Sequence, residues 1–90
     1  MLITFSTTSG DRYDVQSYIN TLRDKNYQVS DIVEYNPHNY EYPAYLFTMV
    51  INSVDELFGI SKVLNKELII SRYPVTDGVH EIEIYDDYRE

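Results

Sequence analysis

Hydrophobic and polar positions alternate with two different periods along this chain, one typical of strands and one typical of helices. In the stretch VHEIEIY near the C-terminus, Ile82 and Ile84 fall on one side of an extended chain, and Glu81, Glu83 and Tyr85 fall on the other. This period of two indicates a half-buried strand. Shorter continuous apolar runs, rich in β-branched and aromatic residues, indicate further strands. We predict strands at 2–7, 29–35, 44–51, 67–73 and 79–85.

A segment with a helical pattern of apolar residues lies between the first two of these predicted strands. Apolar residues recur at i, i+3, i+4 and i+7 and predict a helix over 13–25. Asp11 or Asp14 can cap its N-terminus, because a carboxylate accepts hydrogen bonds from the free N–H groups of the first turn. Lys25 lies favourably in the last turn, at the negative end of the helix dipole. The face predicted to be buried consists of Val15, Tyr18, Ile19 and Leu22.

A second helix is predicted at about 54–65. Ser53 and Glu56 match the S-x-x-E capping box, in which two side chains satisfy each other's backbone N–H groups. Gly59 costs about 1 kcal/mol against alanine but permits close packing, and Asn65 is a suitable C-terminal stop. The face predicted to point inward consists of Val54, Leu57, Phe58 and Leu64.

The order of these elements, β-α-β-β-α-β-β, predicts an α+β fold in one domain, 1–90. Its first six elements match the ferredoxin-like, or split βαβ, arrangement. We therefore expect an antiparallel sheet with two helices on one face, and strand 29–35 at an edge. The dipeptide Asp77-Gly78 predicts a hairpin that adds the last strand to the sheet.

The charge of the chain narrows the functions to consider. Its net charge is −8, and no Lys or Arg occurs from 26 to 61. Such a field repels nucleic acid and anionic lipid and attracts basic partners, so we expect no direct nucleic-acid binding and no membrane binding. The alternative is that the acidic surface only keeps the protein soluble. The acidic residues of the stretch without basic residues are Asp31, Glu34, Glu41, Asp55 and Glu56.

Catalytic, metal and cofactor chemistry find no support in the residues. There is no cysteine, His38 and His80 stand outside any motif, and no G-x-S-x-G occurs. Neither an EF-hand pattern nor a zinc-ligand spacing is present. Tyr45, Phe47 and Met49 alternate along one strand as base-stacking aromatics do in RNA-recognition modules, but the basic residues are missing. We expect no enzyme activity, no metal and no cofactor.

The start of the chain, MLITFSTTSG, lacks the basic flank and long apolar stretch of a signal peptide. No apolar run approaches the roughly 20 residues that a membrane span needs. The absence of cysteine also gives no sign of an oxidising compartment. We therefore expect a cytoplasmic protein.

Of the functions considered, binding to another protein remains, and two sets of residues are candidates for the binding surface. The stretch YNPHNYEYPAY, 35–45, holds four tyrosines, which supply large amphipathic area at low entropy cost. The alternative is that some of these rings cover the open face of the sheet. Same-face residues on the last strand lie roughly 6.6 Å apart and would form an acidic row along one edge of the sheet. The candidate partner-binding residues are Tyr40, Glu41 and Tyr42 in the loop, with Glu81, Glu83, Asp86 and Asp87 in the row.

A cysteine-free, acidic, Tyr- and Asn-rich chain that ends in HEIEIYDDYRE resembles the small accessory proteins of phages and prophages, with anti-CRISPR or anti-restriction character. The resemblance concerns overall character and transfers no residue role. It implies a non-enzymatic inhibitor in the bacterial cytoplasm, a nucleic-acid mimic that places carboxylates where phosphates bind. Its partner would be a basic, nucleic-acid-handling bacterial protein such as a CRISPR effector or a restriction enzyme. The alternative is a structural or assembly role, for instance a homodimer that pairs through exposed strand edges.

Overall fold

The structure, a computed structural model, describes residues 1–37, 39, 41–70 and 80–86. The predicted order of strands and helices is confirmed, although β2 is much shorter than expected. The predicted hairpin at Asp77-Gly78 and the end of the predicted fourth strand, 71–73, lie outside the described residues. The elements are β1 (Leu2–Thr7), α1 (Arg12–Asp24), β2 (Val33–Tyr35), β3 (Ala44–Val50), α2 (Asp55–Leu64), β4 (Leu68–Ile70) and β5 (His80–Ile84).

The five strands form one mixed sheet in the order β2-β3-β1-β5-β4. Three neighbouring pairs are antiparallel, but β1 and β5 are parallel. The prediction of an all-antiparallel sheet is therefore wrong, and the ferredoxin-like strand order is not confirmed. The coarser prediction of an α+β fold is confirmed, and β2 lies at an edge as expected.

The last strand is not an appended edge strand, because β5 lies between β1 and β4. Five residues of β1, from Ile3 to Thr7, pair with the five residues of β5. A hairpin can join a sheet through either of its two strands, and the local pattern of both strands is compatible with either choice. Here β5 takes the internal position and β4 takes the edge.

Both helices pack on the same face of the sheet, where they share one core with β1, β3 and β5. The Phe5 and Phe47 rings stack at its centre, with their centroids 5.1 Å apart. The predicted buried face of α1 is confirmed, and Asp11 is its N-cap, accepting a 2.7 Å hydrogen bond from the Tyr13 N–H. The strand residues of this core are Ile3, Phe5, Phe47, Met49, Ile51, Ile82 and Ile84.

Helix α2 lies in a different rotation from the predicted one. Val54 and Phe58, expected to point inward, are exposed, whereas Ile60 and Leu64 are buried and Leu57 is half-buried. Residues 57, 60 and 64 form a narrow stripe at i, i+3 and i+7, and this stripe faces the core. The prediction for Leu57 and Leu64 is confirmed, and that for Val54 and Phe58 is wrong.

The predictions for the two ends of α2 have different outcomes. No side chain caps its N-terminus: Val54 is the N-cap residue, and Glu56 N–H donates to the backbone carbonyl of Ser53 at 3.2 Å, so the capping box is wrong. Asn65 adopts a left-handed conformation and ends the helix as predicted. The close packing expected at Gly59 is confirmed, because a Cβ there would lie 3.2 Å from the Tyr27 hydroxyl oxygen.

In the part of the chain that the structure describes, neither helix is long and apolar enough to cross a membrane.

Candidate partner-binding surfaces

The tyrosine-rich stretch connects β2 to β3 at one corner of the sheet, because antiparallel pairing places Tyr35 opposite Ala44. Within this connection Glu41 is exposed, and Tyr42 is 82% exposed. Tyr40 lies outside the described residues. Two of the three loop residues singled out from the sequence are therefore described, and both are accessible to a partner.

Two other tyrosines of the stretch have positions in the sheet. Tyr45 alternates with the buried Leu46 and packs, half-buried, against the core beneath the helices. Tyr35 is half-buried on the other face of the sheet, where it pairs with Ala44 of β3. A role in covering the face opposite the helices therefore accounts for Tyr35, Tyr45 belongs to the helix side, and Tyr42 has neither position. Phe47 and Met49, which follow Tyr45 at strand spacing, are core residues.

The acidic residues of β5 lie on the sheet face opposite the helices, as their alternation predicts, but not at an edge. Glu81 is only 7% exposed, and its Oε1 accepts a 3.5 Å hydrogen bond from Ser6 Oγ on the neighbouring strand. Glu83 is half-buried between Ser6 of β1 and Ile69 of β4. The predicted acidic row along an edge is wrong, because β5 is internal. Asp87 lies outside the described residues.

Asp86 belongs to the other side of the sheet and holds elements together. Its Oδ1 accepts a hydrogen bond from the Tyr18 hydroxyl of α1 and lies 3.4 Å from Lys66 Nζ. Its backbone N–H donates to Thr8 Oγ1 at 2.9 Å, and its side chain is only 10% exposed. Sequence reasoning missed this role, although Asp86 lies two residues after Ile84 and so falls on the same, helix-facing side of the strand.

An exposed apolar groove between α2 and β4 was also missed, because Val54 and Phe58 were assigned to the core. The groove has a volume of about 340 Å³. Phe58 is 68% exposed and Ile70 is 81% exposed. We call it the β4 groove; its lining includes Val54, Leu57, Phe58, Leu68, Ile69 and Ile70.

Exposed carboxylates accompany the tyrosine-rich connection between β2 and β3. Glu34 on β2 and Glu41 in the connection are both exposed. Asp31 is different, because it pairs with Arg23 of α1 at 2.9 Å. We call the exposed set Glu34, Glu41 and Tyr42 the acidic corner. Among the described residues, no three Asp, Glu or His side chains lie close enough together to hold a metal ion.

No protein-family model matches this chain, and comparisons with curated proteins and with solved structures find no match either.

Proposed function

We propose that this chain is a non-enzymatic, acidic inhibitor of phage type that blocks the nucleic-acid-binding surface of a basic bacterial protein, such as a CRISPR effector or a restriction enzyme. The observation that supports this most is the acidic corner. Its carboxylates and the exposed Tyr42 ring lie within a stretch, 26–61, that has no Lys or Arg; the basic residue nearby is Arg12 of α1, which lines a pocket with Glu34. A surface of this kind attracts the Lys and Arg side chains that clamp a nucleic-acid backbone.

The two kinds of side chain in the acidic corner have different tasks. Exposed ion pairs contribute only about 0–1 kcal/mol each, so Glu34 and Glu41 mainly accelerate association and set orientation. An aromatic anchor that becomes buried in the complex lengthens the lifetime of that complex, and Tyr42 is an exposed ring that can serve as one. The proposal rests on the acidic corner, since Glu81 and Asp86 are engaged within the fold.

Displacement of nucleic acid tests the proposal directly. Basic nucleic-acid-binding proteins would be captured from a bacterial lysate on the immobilised chain, and each would then be bound to a labelled duplex. We expect the wild-type chain to release the duplex, and a Glu41→Lys, Tyr42→Ala variant to lose most of this activity. Tyr13→Ala is the matched control, because Tyr13 is an equally exposed tyrosine on α1.

Two outcomes contradict the proposal. One is recovery of only acidic or uncharged partners. The other is equal displacement of the duplex by the wild-type chain and the loop variant, with both folded by circular dichroism. Displacement should also weaken between low and physiological salt, because screening shortens the reach of the acidic field.

A second candidate function is assembly through strand edges, either as a homodimer or as a phage accessory component. The edge position of β2 favours it, since its outer backbone groups are available for pairing. The final strand, β5, is internal and so offers no edge for pairing. Light scattering over a range of concentrations tests this function, and a monomer at every concentration counts against it.

A further inference from the structure

We propose that the β4 groove binds an extended, basic peptide segment of a partner protein by strand addition to β4. This surface goes beyond the function proposed above and does not depend on it. It lies at the β4 edge of the sheet, whereas the acidic corner lies at the β2 edge.

The backbone of β4 has hydrogen-bonding groups that point out of the sheet. Tyr85 N–H donates to the Glu67 carbonyl at 2.8 Å, so these two residues form a hydrogen-bonded antiparallel pair. Such pairs alternate with non-hydrogen-bonded pairs, and the register places Leu68 and Ile70 in the latter. Their N–H and C=O groups therefore face away from β5. Among the strands that the structure describes, β4 ends the sheet on that side.

The side chains of the same two residues form the floor of the groove. Leu68 and Ile70 lie opposite Ile84 and Ile82, which face the helices, so they share that face. Phe58 of α2 forms the wall of the groove. A strand added to β4 would place every second side chain against this apolar surface while its backbone pairs with Leu68 and Ile70.

Charge selects the occupant. Asp55 begins α2 beside the lining residue Val54, and Glu67 precedes β4; both are exposed carboxylates. Two basic residues lie nearby: Lys62 of α2 is outside the groove lining, and Lys66 pairs with Asp86 at 3.4 Å, which leaves the acidic residues in excess. A second copy of a chain with net charge −8 is repelled, whereas a basic segment is attracted. The groove therefore fits an extended segment in which apolar and Lys or Arg residues alternate.

The probe is a synthetic peptide of about nine residues in which lysine and valine alternate, a typical strand length. Its binding is followed by the amide NMR signals of the isotope-labelled chain. We expect saturable shifts centred on Leu68 and Ile70. Because a single strand covers less than the roughly 1,200 Å² of a stable complex, we expect fast exchange and weak affinity.

Two variants of the chain and two altered peptides separate strand addition from general attraction. Phe58→Gln, a change at an exposed helical position, should weaken binding by about tenfold, as the loss of an aromatic anchor does. A peptide N-methylated at alternate residues should fail because it lacks backbone donors, and a peptide with glutamate in place of lysine should fail through repulsion. Tyr13→Gln, a change at an exposed aromatic residue away from the groove, should bind as the wild type does.

The proposal is overturned if the lysine-valine peptide gives no saturable shifts, if the glutamate peptide binds equally well, or if the shifts centre on Glu41 and Tyr42. Self-association of the chain that Phe58→Gln abolishes would identify a second copy as the occupant and would also overturn it. Each of these failures is distinct from a failure of the inhibitor function, which the Glu41→Lys, Tyr42→Ala variant tests at the other edge.

Discussion

Asp86 illustrates how a residue that reads as surface charge in the sequence becomes part of the scaffold. Its carboxylate accepts a hydrogen bond from the Tyr18 hydroxyl and pairs with Lys66, and its backbone binds Thr8. These contacts join the end of β5 to α1 and to the connection after β1. A carboxylate with so little exposure contributes through its partners, because desolvation would otherwise disfavour its charge.

We expect Asp86→Ala to lower the free energy of unfolding by about 1.5–3 kcal/mol, the range for hydrogen bonds to a charged group. The variant removes the acceptor of the Tyr18 hydroxyl and the ionic partner of Lys66. Urea unfolding measures the change. Glu41→Ala is the control at an exposed carboxylate and should stay within about 0.5 kcal/mol of the wild type. A similarly small change for Asp86→Ala would mean that its contacts contribute little.

At the scale of secondary structure, α2 shows why an apolar residue does not by itself identify the buried side of a helix. The helix carries apolar residues at more positions than one stripe can hold, so several rotations bury a similar number. Contact with the sheet and with Tyr27 near Gly59 selects the rotation that buries Ile60 and Leu64. Phe58 is thereby left on the surface.

This rotation predicts different costs for two alanine substitutions in the same helix. Ile60→Ala removes a fully buried side chain and should cost about 2–5 kcal/mol of unfolding free energy. Phe58→Ala removes a larger but mostly exposed side chain and should cost less than about 1 kcal/mol. Thermal or urea unfolding of both variants decides between the rotations. A larger cost for Phe58→Ala would support the rotation expected from the sequence.

At the scale of the whole molecule, the net charge of −8 acts on the folded state as well as on partners. Self-repulsion of like charges destabilises a compact state, and salt screens it. We therefore expect the midpoint of thermal unfolding to rise by a few degrees between about 10 mM and about 150 mM NaCl. Circular dichroism melts measure it. An unchanged or lower midpoint would show that the acidic residues are balanced by local partners.

The chain by itself determined the features that depend on nearest neighbours. The helical spacing of four apolar residues identified the buried face of α1. Asp11 was one of two carboxylates able to cap the N-terminus of this helix. The positions of β1 and β3, the left-handed stop at Asn65 and the exposed loop charge at Glu41 followed from equally local patterns.

Only the tertiary structure decided which neighbour covers each face. Alternation showed that Glu81 and Ile82 point in opposite directions, but it did not show that both are buried, as they are on the internal strand β5. The insertion of β5 between β1 and β4 left β4, with its adjacent groove, at the edge. A local pattern records the preference of each side chain for water or for apolar surroundings. Long-range strand pairing determines how many positions each environment offers, and so it decides which preferences are met.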